Sequence, residues 1–260
     1  MPHSLQSEYS QGRTSNGLAY ERRGKGRPVV LLHGWCLNSK MWTYAQEDLG
    51  ADHEVITFDL AGFGHSSHLA GPYGFERHAR DLAVAFSELK LQRPVVAGFA
   101  FGAAIAVALG KSSPKQLGAV IAVGLPSAQA SPYAKMPRAM RRDWPGFARK
   151  SAEALFHNAQ SEATLGWIER MFGDASLCVA AETVGFLEHY EPAEAVQGLE
   201  LPTLFIHADQ DRVAPVATGR ACAQVVPGSK LVVLENCGHL IVIDNKNAFH
   251  EAVRSFVSTL

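Results

Sequence analysis

Residues 95–104 of the chain read Val95-Val96-Ala97-Gly98-Phe99-Ala100-Phe101-Gly102-Ala103-Ala104. This pattern predicts a buried strand that turns sharply into a helix built almost wholly of small residues. Gly98 and Gly102 flank the middle residue with the spacing of a strand-to-helix turn that presents a nucleophile. We expect the turn to strain the backbone of its middle residue, and the two glycines to let strand and helix pass close together. That middle residue is Ala100, whose methyl group carries no nucleophile.

Length and composition limit the classes of protein to which this chain can belong. Its 260 residues, 47% apolar and 19% charged, suit one α/β domain with an insertion. A net charge of -1 gives no electrostatic reason to bind nucleic acid or an anionic membrane. The polar first twelve residues lack the apolar core of a secretory signal. We therefore expect a cytoplasmic protein whose partner is a small-molecule substrate, and the sequence leaves its oligomeric state open.

Cysteines and histidines give no indication of a metal or another cofactor. The four cysteines are scattered and form no C-x-x-C pair, which predicts reduced thiols; they are Cys36, Cys178, Cys222 and Cys237. His65 and His68 are separated by two residues, but no third ligand accompanies them. We predict a solvated loop there, and a protein that uses no metal and no cofactor.

Apolar runs alternate with helical patterns along most of the chain, which predicts a doubly wound, mostly parallel α/β sheet. A turn-prone segment, residues 11–16, separates the first two predicted strands. The predicted strands are Ser4–Ser10, Gly17–Arg22, Val29–Leu32, Val55–Asp59, the strand that begins at Val95, Leu117–Val123, Thr203–His207 and Lys230–Leu234.

Residues 126–200 interrupt this alternation with helical patterns and many aromatic rings, and contain no convincing strand. An insertion after the glycine-flanked turn predicts a helical lid over a site at the strand ends. We thus predict a core formed by residues 1–125 and 201–260 and a lid formed by residues 126–200. Of the rings in the lid, we expect Trp144 and Trp167 to contact substrate.

An acid and a histidine follow the two late strands. Asp211 comes just after the strand that ends at His207, and His239 just after the strand that ends at Leu234. Because loops after parallel strands gather at one edge of a sheet, both should lie near Ala100. A carboxylate can hold the imidazole in the tautomer that accepts a proton. Asp209 is the alternative acid, since Asp211 could instead cap the helix that follows.

Two backbone N–H groups are predicted to stabilise an oxyanion at the same edge. They belong to Trp35, which follows His33-Gly34 after an early strand, and to Phe101 at the start of the helix after Ala100. We expect His33 and Gly34 to lie at the substrate-binding site, with His33 ordering this loop by hydrogen bonding.

Together these segments resemble the α/β-hydrolase family over essentially the whole chain. The matching motifs are His33-Gly34-Trp35, Asp59-Leu60-Ala61-Gly62-Phe63-Gly64-His65-Ser66, Gly98-Phe99-Ala100-Phe101-Gly102, Asp211-Arg212-Val213-Ala214-Pro215 and Gly238-His239. The resemblance implies a Ser-Asp-His triad, a backbone oxyanion hole and hydrolysis of an ester or related bond. This chain departs from the pattern at the nucleophile, where Ala100 stands in place of the expected serine.

Several functions fit these motifs. The setting of Ala100 resembles the esterase and perhydrolase-like branch, so we predict a hydrolase of a small ester, lactone or similar carbonyl compound whose serine has been replaced. An aspartate nucleophile, as in dehalogenase-like members, is the alternative native residue. A carbon–carbon bond hydrolase, a cofactor-free dioxygenase and a non-catalytic binding protein are the other functions considered. Retention of both Asp211 and His239 argues against the binding protein.

Overall fold

The computed structural model describes residues 9–260, in which eight strands form one sheet. The strands are β1 Tyr9–Arg13, β2 Ala19–Arg23, β3 Pro28–Leu32, β4 Glu54–Phe58, β5 Val95–Phe99, β6 Ala119–Val123, β7 Thr203–Ala208 and β8 Lys230–Leu234. Their order across the sheet is β1-β2-β4-β3-β5-β6-β7-β8. β2 runs antiparallel to its neighbours β1 and β4, and every other pair is parallel. The predicted doubly wound, mostly parallel sheet is therefore confirmed.

Helices connect the strands and cover the sheet. They are α1 Thr43–Leu49, α2 Phe75–Glu88, α3 Phe101–Ser112, α4 Met136–Arg142, α5 Trp144–Ala154, α6 Glu162–Asp174, α7 Leu177–Glu188, α8 Pro192–Ala195, α9 Val216–Val225, α10 Ile241–Asp244 and α11 Lys246–Val257. The sequence explains their docking: α2 buries Phe75, Ala79, Leu82 and Phe86, which recur at helical spacing on one face. α2 packs against α3, and α1 packs against α11.

The buried strands match their predictions because continuous apolar runs suit strands covered on both faces. All residues of β5, β6 and β7 are buried. Since β5 lies between β3 and β6, the turn at Ala100 leaves the sheet near its centre. The loops after β3, β5, β7 and β8 consequently open at the same edge.

The prediction for residues 11–16 is wrong in its first half. β1 continues to Arg13, and Gly12 pairs with Tyr20 of β2. A Cβ on Gly12 would lie 2.8 Å from the Tyr20 hydroxyl. Gly12 therefore lies inside a strand, where the Tyr20 side chain passes close to its backbone, and it does not form a turn. The turn itself is shorter, with the Gly17 N–H donating to the Thr14 carbonyl at 2.8 Å. Most of the predicted strand Ser4–Ser10 lies outside the described residues.

Residues 126–200, which we call the helical segment, contain helices α4 to α8 between β6 and β7 and, as predicted, no strand. The segment has its own buried apolar residues, among them Ile168, Met171 and Phe172 of α6 and Val184 and Leu187 of α7. α5 packs against α6, and α4 against α7.

All four cysteines are free thiols. Cys36, Cys222 and Cys237 are buried, whereas Cys178 on α7 is exposed. Burial raises the pKa of the Cys222 and Cys237 thiols to about 12. Among residues 9–260, none of the helices combines the length and the apolar character needed to cross a membrane.

Candidate active site

Ala100 occupies the turn between β5 and α3 with a left-handed backbone, φ 48° and ψ −108°. The strain expected from the glycine spacing is thus present. A Cβ on Gly98 would overlap the Gly102 carbonyl, and one on Gly102 would overlap the Leu32 carbonyl. Only glycine therefore lets β5, α3 and β3 approach so closely around Ala100.

Asp211 and His239 meet at this edge of the sheet. The Nδ1 atom of His239 lies 2.7 Å from Oδ2 of Asp211, and both side chains are buried. The other carboxylate oxygen of Asp211 accepts the backbone N–H groups of Val213 and Ala214 at 2.7 and 2.8 Å. The carboxylate therefore contacts the imidazole and also holds the turn of its own loop, whereas α9, the helix that Asp211 could have capped, begins at Val216 without a side-chain cap.

Asp211 is arranged to remain ionised. Burial opposes its charge, but the charge of His239 and the hydrogen bonds from His239, Ala214 and Val213 outweigh burial and hold the pKa of this carboxyl below its usual value. A carboxylate can only accept, so His239 donates from Nδ1, and in the neutral ring the lone pair is on Nε2.

The alternative acid, Asp209, does not contact His239. Its side chain is exposed and accepts the backbone N–H of Cys237 at 3.2 Å, which ties the loop after β7 to the loop after β8. Asp209 thus supports the loop that carries His239, while Asp211 reaches the ring.

The sequence predicts two backbone donors for an oxyanion, the N–H groups of Trp35 and Phe101. Neither the N–H of Trp35 nor that of Phe101 has an acceptor among residues 9–260. The loop that carries Trp35 is held by His33, whose Nδ1 contacts the Gly34 carbonyl at 2.8 Å and whose Nε2 accepts the Leu60 N–H at 3.0 Å. Burial lowers the pKa of His33, so the ring is neutral and can both donate and accept.

A cavity of about 130 Å³ joins these groups. Ala100, His239, Trp35 and Phe101 all line it, and most of its other walls are apolar. The helical segment contributes one wall of the cavity: Pro126, Ser131, Tyr133, Met136, Ser151, Ala154, Leu155, Phe172 and Leu187. Tyr133 is buried beside Asp211, and burial together with that charge raises the pKa of its hydroxyl to about 12.

Four residues predicted to bind substrate do not line this cavity. His33 is fully buried with both ring nitrogens engaged, and Gly34 faces the ring of Phe99. Trp144 stacks on Phe147, with ring centroids 5.9 Å apart and an interplanar angle of 14°. The ring of Trp167 lies nearly perpendicular to that of Tyr44 of α1, with ring centroids 6.2 Å apart. Trp144 thus packs within α5 and Trp167 packs against α1, and helical spacing alone does not reveal these contacts.

Asp244, which the sequence did not single out, joins the histidine loop to the helical segment. One carboxylate oxygen accepts the N–H groups of Gly238 and His157 at 2.7 and 2.9 Å, and the other accepts that of Asn158 at 3.2 Å. The Leu240 N–H also donates to the Leu155 carbonyl at 2.9 Å. We call this contact, between residues 155–158 and 238–244, the histidine-loop clasp.

Trp35 provides a second link between the sheet and the helical segment. Its indole Nε1 donates to the Ala180 carbonyl at 3.2 Å and to the Thr183 hydroxyl at 3.0 Å, both on α7. Its ring also meets Phe172 of α6 edge-on. In the part of the chain that the structure describes, no three His, Cys, Asp or Glu side chains come together as metal ligands would.

Comparison with known proteins extends this description. The model of the alpha/beta hydrolase family matches residues 29–252. The AB hydrolase superfamily protein YisY of Bacillus subtilis is 26% identical, over 92% of this chain and 94% of that protein. The pimeloyl-[acyl-carrier protein] methyl ester esterase of Aeromonas salmonicida is 28% identical, over 92% of this chain and 99% of that protein. Among solved structures, an esterase from Exiguobacterium antarcticum superposes with a TM-score of 0.88 at 24% identity, over 96% of this chain and 99% of that one.

Proposed function

Because the chain belongs to the alpha/beta hydrolase family, we propose that its site is that of a carboxylic ester hydrolase whose serine nucleophile is replaced by Ala100. The observation that carries the proposal is the 2.7 Å contact of His239 with Asp211 in the cavity that Ala100 also lines. A base held by a buried carboxylate, beside a residue at a strained strand-to-helix turn, is the arrangement that activates a nucleophile at that turn.

With serine at position 100, the same groups would carry the hydrolysis of an ester. The hydroxyl oxygen attacks the carbonyl carbon while His239 takes the hydroxyl proton on Nε2. Asp211 stabilises the imidazolium, and the N–H groups of Trp35 and Phe101 hold the oxyanion, each such donor contributing about 3 kcal/mol. The alkoxide then leaves with the proton from His239, and water repeats the sequence to release the acid.

The proposed substrates are esters and lactones with a small acyl group. The cavity is close in volume to the roughly 150 Å³ that holds benzene in an apolar protein interior. Its walls are mostly apolar, which suits an unbranched or cyclic hydrocarbon group. The esterase names among the similar proteins agree with hydrolysis of an ester bond.

We also propose that the helical segment serves as a lid over the core formed by residues 1–125 and 201–260. The support is that residues of this segment form one wall of the cavity. The segment also meets the core at the histidine-loop clasp and at the Trp35 indole, both beside the proposed site. A lid at this position would exclude water from the reacting carbonyl.

The test is Ala100→Ser, assayed with p-nitrophenyl acetate and butyrate beside the Ala100 protein. We expect A100S to hydrolyse both esters and the Ala100 protein to stay near the background rate, because acylation needs the hydroxyl. Ala108→Ser is a matched control, since it adds the same hydroxyl to α3 away from the cavity. A folded A100S protein that hydrolyses no ester or lactone would contradict the proposal.

A further inference from the structure

The Ala100 protein retains a base whose basic nitrogen is unengaged. The Nε2 atom of His239 has no hydrogen-bond partner among residues 9–260, although the ring lines the cavity. Asp211 occupies Nδ1 and so keeps the lone pair on Nε2. In a serine enzyme a hydroxyl would stand between this nitrogen and the substrate, whereas here Ala100 lines the cavity with a methyl group.

The same cavity retains two donors for a developing negative charge. The N–H groups of Trp35 and Phe101 are without acceptors in the described chain, and both residues line the cavity with His239. A base and an oxyanion site that act on one carbonyl compound suffice for removal of a proton from the carbon next to the carbonyl. That reaction needs no nucleophile.

We propose that the protein with Ala100 catalyses reversible enolisation of small carbon acids, compounds with a C–H bond activated by an adjacent carbonyl. The inference rests on the site described under the proposed function, but requires only His239, Asp211 and the two N–H donors. It does not require that residue 100 was ever a serine.

Enolisation transfers one proton between the substrate and His239. The α C–H bond breaks, its proton goes to Nε2 of His239, and its electron pair forms the C=C bond of the enolate while the C=O electrons move to oxygen. The N–H groups of Trp35 and Phe101 hold that oxygen, and Asp211 stabilises the imidazolium. Return of a proton from Nε2 to carbon restores the substrate, so no oxidant or other reactant is consumed.

The cavity indicates which carbon acids fit. Its volume of about 130 Å³ admits a compound of only a few carbon atoms, and its apolar walls exclude a charged one. A neutral imidazole is a moderate base, so the C–H bond must be acidified, most simply by two flanking carbonyls. The preferred class is therefore small, uncharged 1,3-dicarbonyl compounds.

The experiment follows exchange of the C2 hydrogens of methyl acetoacetate in D₂O by proton NMR. We expect the Ala100 protein to accelerate exchange about 10²-fold over buffer, a usual contribution of a positioned base, and to saturate with substrate. Asp211→Asn should remove most of this rate, because an amide NH₂ can donate to Nδ1 and so shift the lone pair away from Nε2. With His239→Gln, the exchange rate should fall to that measured in buffer alone.

Controls separate this activity from exchange by surface imidazoles. His68→Gln removes an exposed histidine outside the cavity and should leave the rate unchanged. Thermal melts of D211N and H239Q establish that each variant is folded. An Ala100 rate equal to that of buffer, or a rate retained by folded D211N and H239Q, would overturn the inference.

The same probe distinguishes this inference from the proposed ester hydrolysis. Methyl acetoacetate is also an ester, so release of methanol by A100S tests the hydrolase proposal in the same tube. Methanol release by A100S without exchange by the Ala100 protein would overturn the enolisation alone. Exchange without methanol release from A100S would support enolisation and contradict the ester hydrolase.

Discussion

Ala100 has the left-handed backbone of a residue under strain, and a serine in its place would be strained equally, by about 1 kcal/mol. The two residues differ by a hydroxyl, which the cavity and His239 would leave partly desolvated. Ala100→Ser should therefore lower the free energy of unfolding by about 0–2 kcal/mol, as is common when a polar group is added to an active site. Urea unfolding of both proteins measures this, and a clear gain in stability for A100S would contradict a site built for serine.

His78 on α2 is a buried histidine beside the residue that follows Ala100. Its ring meets Phe101 edge-on at 5.6 Å, and burial, with smaller effects of His33 and Arg77, lowers its pKa from 6.5 to about 3. Below pH 6.5 His78 is protonated in the unfolded chain but stays neutral in the folded protein. The free energy of unfolding therefore falls as the pH falls. Between pH 7 and pH 5, His78 alone should lower the free energy of unfolding by about 2 kcal/mol.

His78→Leu should remove that part of the pH dependence. The difference in the free energy of unfolding between pH 7 and 5, from urea titrations, should be smaller for H78L by about 2 kcal/mol. The buried His33, His207 and His250 also have lowered pKa values, and their contributions to the pH dependence remain in H78L. His68→Gln is the exposed control and should leave the difference unaltered; an H78L protein with the full difference would show that His78 titrates normally.

At the scale of elements, the histidine-loop clasp couples α10 to the turn between α5 and α6. Asp244 supplies the acceptors, and Gly238 fits there because a Cβ would lie 2.5 Å from the His157 nitrogen. The clasp therefore fixes the backbone immediately before His239. A residue that acts by orienting the base should affect the chemical step more than substrate binding.

Asp244→Asn, made together with Ala100→Ser, tests this coupling. We expect kcat for p-nitrophenyl butyrate to fall about tenfold with little change in KM, since the amide loses charge and acceptor capacity toward Gly238, His157 and Asn158. Glu251→Gln on α11 removes an exposed carboxylate and serves as the control. An unchanged kcat would show that the clasp does not position His239.

At the scale of the whole molecule, the sheet and the proximity of Asp211 to His239 could be predicted from the sequence. Apolar runs mark strands covered on both faces, and parallel strands bring Asp211 and His239 to the edge where Ala100 stands. The cavity wall could not be predicted in the same way. Whether Trp144 or Tyr133 faces the cavity depends on how α4 to α7 pack against one another, and two partners of Asp244, His157 and Asn158, lie more than eighty positions away. Such contacts leave no periodic pattern.

The distribution of the cysteines allows the helical segment to be labelled with a fluorophore without any substitution. Cys178 is exposed while the other three thiols are buried, so a maleimide dye would attach at one place. That place is on α7, two positions before Ala180, whose carbonyl accepts the indole N–H of Trp35. A fluorophore there reports on the helix that contacts the Trp35 indole. The chain thus carries its own labelling position for recording, in real time, how this helix responds when a ligand enters the cavity.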